Sequence, residues 1–405
     1  MRWKSPRQQA EERPSWRAVS RLTNVLRLFS AALALLVAHA ASAQETIETN
    51  FSQYPGFETY LREHPPSDAM PDAADRVLLQ RYRPRMFLAA GQDSPLDFYA
   101  DYIAHGRLFG EDGELISASV DQDLLNRVKL LPRVTFVHER GERAHNPVMY
   151  GRIDRIRAPA SLIVLTYHMV FRHSGLPAGL PDWQGGLLSI VADLDDWHQL
   201  DHYTAVSIVL DASEEPFAVM LQQHNYMRTH LIDESLSWPA DDRVAIDVAI
   251  RSNELFPHTP GRTRHRAARF MTAESLDYLM GFGPPPFPSA DDITEPANEV
   301  DYALAFLPPS DAFYVFRGYL GERRSLPGRS GPPGAFYNTL PHLKPLHLQI
   351  GAGYWRPGSS ADRDRALRAQ QHGDAWRAVF AMAQFDTLLA NRACLRATAS
   401  VCATD

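Results

Sequence analysis

Cysteine is almost absent from this chain: 2 of 405 residues, Cys394 and Cys402. Their spacing, with no histidine beside them, makes a thiolate metal site the weakest reading. In an oxidising compartment a local disulfide is favoured over two free thiols. Long apolar runs are missing too. Past residue 43 nothing approaches the ~18 continuous apolar residues of a membrane-spanning helix, so none is expected there. The chain also lacks a Gly-x-Ser-x-Gly elbow, a Gly-rich phosphate loop, a His-Glu-x-x-His pair and a Gly-x-Gly-x-x-Gly turn. Those absences argue against serine hydrolases, nucleotide or flavin enzymes and zincins. No internal repeat recurs at a fixed period.

Positive charge is in short supply as well. The formal net charge is −7, and most of the basic residues at the start belong to a leader. Arg2, Lys4, Arg7, Arg13, Arg17, Arg21 and Arg27 precede an apolar run from Leu28 to Ala38 and a small-x-small site, Ala41-Ser42-Ala43. This pattern predicts a secretory signal peptide over 1–43 and a mature chain starting at Gln44, periplasmic or secreted. Without the leader the balance is 34 basic against 46 acidic residues, a net of −12. Such a surface does not suit nucleic acid, and it suits anionic lipid poorly.

What remains is ordinary in composition, 45 % hydrophobic and 22 % charged, with 30 prolines marking many loops. Residues 44–74 read as an extended polar arm with a short helix near Phe57 to Arg62. The folded domain is expected over 75–280. Met86-Phe87-Leu88 reads as a short strand, and Leu96 to Ile103 as a helix capped by Asp93 or Ser94. A helix is expected near Asp121 to Leu130. Ala160 to Phe171 carries the strongest strand signal. Strands also fall at 205–210 and 216–224, joined by the turn Asp211 to Glu215, and at 243–250. Strands in succession joined by short turns predict a mainly β (α+β) fold, an antiparallel β-sandwich-like domain with flanking helices. Residues 281–405 read as a Pro-rich surface excursion, a late strand at Phe313 to Leu320 and a helix over 361–392, packed on the same domain.

One stretch carries most of the chemistry. Asp193 to Tyr203 holds four carboxylates, two imidazoles, an indole and a phenol at the mouth of the strand 205–210. Carboxylates this close repel one another, and a divalent cation relieves the repulsion. Asp195, Asp196, His198, Asp201 and His202 are therefore candidate ligands for Ca²⁺ or Mg²⁺. A solvated acidic loop is the alternative. If 205–210 and 216–224 form a hairpin, His224 approaches the same edge. Ser252-Asn253-Glu254 and His258 follow the strand 243–250 and could complete the shell, or could be no more than a turn. Tyr167-His168 and His173 mark a fourth polar strand end. Arg262, Arg264, His265, Arg266 and Arg269 form a basic patch suited to pairing with the acidic cluster, or with a phosphate or carboxylate.

Several of these motifs together resemble a known family. Tyr82-x-Pro84, Asp93-x-Pro95, Tyr167-His168, Asp195-Asp196-Trp197, Gln223-His224, Ser252-Asn253 and Phe256-Pro257 occur in the order seen in the vacuolar protein sorting-associated protein 62 family. That family is more distantly similar to necrosis-inducing cytolysins of plant pathogens. The resemblance covers roughly residues 75–270. It implies a β-sandwich and, from the cytolysins, a divalent cation at a Gly-Asp-Trp-Glu motif and attack on membranes. Here His198 stands where the family has Glu, and Asp195 stands where it has Gly. The sequence thus predicts metal-assisted hydrolysis with His198, His224 or Glu254 as base. The other class is a non-catalytic envelope or surface protein that binds glycan or lipid head groups through Trp183, Trp197 and Tyr203.

Overall fold

Asp72 starts the first helix among the described residues. Its carboxylate accepts the Asp75 N–H at 2.8 Å, and α1 runs Ala73–Arg81. Leu78 and Leu79 are its buried residues, and β1 (Arg85–Ala89) follows. The computed structural model describes residues 67–89, 92–131, 134–139, 146–156, 162–173, 200, 204–223, 226–232, 236–250, 252–258, 297–316 and 318–321. The predicted signal peptide, residues 44–66 of the polar arm, the 57–62 helix, the 361–392 helix and both cysteines lie outside these residues; the end of the arm, from Asp72, starts α1.

The expected helix at Leu96 to Ile103 is shorter and differently capped. A π-helical turn covers Phe98–Tyr102, and its cap is Asp97, which accepts the N–H groups of Tyr99 and Ala100. A 3₁₀ turn, Ile103–His105, leads into β2 (Gly106–Phe109) and β3 (Leu115–Ser117). Asp121 caps α2, Gln122–Val128. The remaining strands are β4 (Thr135–His138), β5 (Val148–Ile156), β6 (Leu162–Met169), β7 (Ala205–Leu210), β8 (Pro216–Gln223), β9 (Tyr226–Leu231), β10 (Ala245–Val248), β11 (Leu255–Pro257), β12 (Ala297–Val300) and β13 (Ala303–Phe306). α3 is a single turn, Ala312–Val315.

The fold is mainly β, with few helices. Its strands form a six-stranded sheet (β13-β5-β6-β7-β8-β9), a four-stranded sheet (β11-β10-β1-β12) and a three-stranded sheet (β3-β2-β4). The pairing is not purely antiparallel as expected. β1 runs parallel to β10, and β13 parallel to β5. Both parallel pairs join segments far apart in sequence, which no short turn can connect. The region read as a Pro-rich excursion supplies β12 and β13, which close one edge of each large sheet. The expected late strand at Phe313 to Leu320 is instead α3 and its exit. Asp311 accepts the Phe313 N–H at 2.9 Å and starts the turn.

β6 and β7 show why their signal is strong. Every residue of β7 is buried, and only Ile163 of β6 is not. Both faces of the six-stranded sheet are therefore covered. One face puts Leu165, Tyr167, Val206, Ile208, Val219 and Leu221 into a core shared with Met86, Leu88, Ile246 and Val248 of the four-stranded sheet. The other face packs Val164, Val209 and Met220 against Phe98, Tyr102, Phe136, Phe313 and Phe316.

Candidate functional site at the strand ends

Ser252, Asn253 and Glu254 make the turn between β10 and β11. Asn253 N–H donates to the Ala249 carbonyl at 3.1 Å, and Ala249 N–H donates to that of Glu254 at 2.9 Å. The turn needs one residue with positive φ. Asn253 supplies it at 57°, and a short polar side chain tolerates that region. All three residues are buried.

This turn is a collecting point. Asn253 Nδ2 donates to the His173 carbonyl at 2.8 Å, just past β6. Thr204 Oγ1 donates to the Asn253 carbonyl at 3.5 Å, and the Thr204 carbonyl accepts the Met169 N–H at 2.9 Å. Gln92 Nε2 donates to the Ala249 carbonyl at 2.8 Å, and His173 Nδ1 lies 3.6 Å from Asp93 Oδ2. Four segments, around residues 92, 173, 204 and 253, thus meet at one end of the sheets. Leu200 and Thr204 are both buried, and Asp201 and His202 fall between them in sequence.

Of the residues predicted as metal ligands or base, Glu254 is the one the structure describes. Asp195, Asp196, His198, Asp201, His202 and His224 lie outside the described residues, as do Trp183, Trp197, Tyr203 and the basic patch at 262–269. Among the described residues no group of three or more His, Cys, Asp or Glu side chains is placed to hold a metal ion. Glu254 is buried within the β10–β11 turn.

Three expected members stand elsewhere. His258 does not join Asn253 and Glu254. It lies on the face of the four-stranded sheet turned away from the shared core, with Nδ1 2.6 Å from Asp247 Oδ1. Tyr167 and His168 point to opposite faces of β6, as neighbours on a strand must. The Tyr167 hydroxyl donates to the Leu79 carbonyl at 2.9 Å, and full burial pushes its pKa up. His168 is buried on the other face, beside the rings of Phe313 and Tyr314.

That face also carries a polar row that sequence reasoning misses. Arg152, Thr166 and Ser207 are in register across β5, β6 and β7. Thr166 and Ser207 share a hydrogen bond of 3.1 Å. The Arg152 guanidinium grips Asp154 twice, Nη2 to Oδ1 at 3.0 Å and Nε to Oδ2 at 3.1 Å. Its central carbon lies 5.2 Å from the centroid of the Tyr314 ring. Burial pushes the Tyr314 hydroxyl pKa up, as it does for Tyr99 and Tyr150 nearby. Asp311 fixes α3 over this row, accepting from Gln122 Nε2 at 2.9 Å, Asn126 Nδ2 at 3.1 Å and the Tyr99 hydroxyl. The visible signal is Arg152-Ile153-Asp154, opposite charges two apart on a strand.

No family model, no curated protein and no solved structure matches the chain. No described helix is long and apolar enough to cross a membrane.

Proposed function

We propose that this is an exported, sandwich-like protein whose function resides at the strand ends, in a site that takes Ca²⁺ or Mg²⁺. The ligands are drawn from Asp195, Asp196, His198, Asp201 and His202. The chemistry is hydrolysis, with His198, His224 or Glu254 as the base. A bound divalent cation would supply Lewis-acid polarisation there.

One observation carries the reading. Hydrogen bonds from Thr204 to Asn253 and from Asn253 to His173 gather the chain that leaves the acidic cluster, the end of β6 and the β10–β11 turn. Those are three of the strand ends whose polar residues the sequence singles out. The likeness of the same motifs to the vacuolar protein sorting-associated protein 62 family adds support from a separate direction, as does the core shared by the two larger sheets for the sandwich.

The test is elemental analysis of the purified exported protein, paired with melting curves with and without chelator. A cation that binds only the native state stabilises by about 2.7 kcal/mol at a hundredfold excess over its dissociation constant. Millimolar Ca²⁺ or Mg²⁺ should raise Tm, and Asp196→Ala should abolish the rise. No shift with either ion removes the metal reading. A shift without turnover of any ester or phosphoester leaves a binder of glycan or lipid head groups.

A further inference from the structure

The four-stranded sheet holds a second chemical feature, away from the shared core. Phe256, Asp247, Phe87 and Glu299 pair in register across β11, β10, β1 and β12. Side chains at paired positions share a face, and His258, two residues beyond Phe256, joins them. The Asp247 side chain is 3 % exposed and that of His258 20 %.

Three restraints fix the imidazole. Asp247 Oδ1 lies 2.6 Å from Nδ1. The ring stacks on Phe87 with centroids 3.8 Å apart and 14° between planes. The backbone N–H of His258 donates to the Ala245 carbonyl at 3.0 Å. An ionised carboxylate accepts from Nδ1–H, so Nε2 carries the lone pair. Arg85 shares the same shelf, its guanidinium carbon 5.4 Å from the Phe87 centroid. It holds Glu299 through Nε at 3.0 Å and Nη2 at 2.7 Å, a pair in which Nη1 takes no part.

We propose that Asp247 and His258 form a metal-independent general-base dyad that hydrolyses small carboxylic esters, a centre separate from the strand-end site. His258 Nε2 takes a proton from water as the water oxygen bonds to the ester carbonyl carbon. The addition leaves the negative charge on the former carbonyl oxygen. This oxyanion collapses, the bond to the alcohol oxygen breaks, and the imidazolium returns the proton to that oxygen. The products are an acid and an alcohol, and no redox partner is required. Asp247 is the positioning residue that sets the tautomer.

The experiment follows p-nitrophenyl acetate hydrolysis by the full chain in the presence of chelator. Wild type should turn the ester over, and His258→Gln should lower the rate about 100-fold while the chain stays folded by circular dichroism. His105→Gln, remote from the dyad in sequence, should behave as wild type. Asp247→Asn should lower kcat and distort the pH–rate profile, which a purely structural pair would not do. His258→Gln decides alone if Asp247→Asn does not fold. Turnover equal in wild type and His258→Gln, or no faster than free imidazole at equal concentration, overturns the dyad. Turnover that chelator abolishes assigns the activity to the strand-end site and overturns the dyad equally.

Discussion

The two faces of the six-stranded sheet are both buried, yet they are built on different chemistry. The face toward the four-stranded sheet is apolar throughout the middle strands: Leu165 and Tyr167 on β6, Val206, Ile208 and Leu210 on β7, Val219 and Leu221 on β8. The face toward α3 interrupts its apolar residues with Arg152, Thr166, His168 and Ser207. The first face draws its stability from area removed from water. The second depends on pairing the polar groups it buries, because an unmade hydrogen bond there costs more than a made one gains. Thr166 with Ser207, and Arg152 with Asp154, are those pairings. One sheet thus has a face held by packing and a face held by pairing.

The comparison breaks most visibly on the apolar face. Leu165→Ala opens a cavity in the core shared by two sheets and should cost about 2–5 kcal/mol by urea unfolding. An equal cost for a conservative polar swap on the opposite face would erase the distinction.

On the α3 side a pH limb is the next expected effect. Burial lowers the His138 pKa to about 4 from the ordinary 6.5, while its Nδ1 contacts the Tyr102 carbonyl at 3.3 Å. The folded state then binds fewer protons than the unfolded one below pH 6.5. Stability should fall from about pH 6.5 to about pH 4 and then level for this group. His138→Gln should flatten that part of the curve. An unchanged slope assigns the acid sensitivity to other groups.

Thr166→Val removes one member of the hydroxyl pair and leaves Ser207 buried without it. The expected cost is about 1–3 kcal/mol. Adding Ser207→Ala should recover part of that loss, so the double-mutant cycle should show coupling between the two positions. Additive losses would mean that the row is not a network. The smallest effect is expected at Tyr314, whose buried hydroxyl has no hydrogen-bond partner among the described residues. Tyr314→Phe should change stability by no more than about 0.5 kcal/mol, and a large loss would show that the hydroxyl is engaged.

Much of the framework is legible in the amino-acid sequence alone. β6, the β7–β8 hairpin with its Asp211 to Glu215 turn, β10 and the helix behind Asp121 carry apolar patterning or caps that act locally. Glu254 stands out because it follows a strand. β12 and β13 are hidden, because two strands of four residues leave little periodic signal beside a Pro-rich acidic run. α3 reads as a strand because Phe313-Tyr314-Val315 is aromatic and β-branched, and burial on all sides leaves no alternation to separate a strand from a helical turn.

Sequence by itself determined the mainly β character, the strong central strands and the polar residues at their ends, because each follows from side-chain type and short-range spacing. Tertiary structure decided which of those residues meet. His258 is four residues from Glu254, yet β11 carries it along the sheet, and pairing with β10 sets it beside Asp247. Arg152 and Asp154 become a buried pair only because α3, capped by Asp311, closes over them from more than 150 residues away. Contacts of that range depend on sheet order and parallel pairing, and no local pattern encodes either.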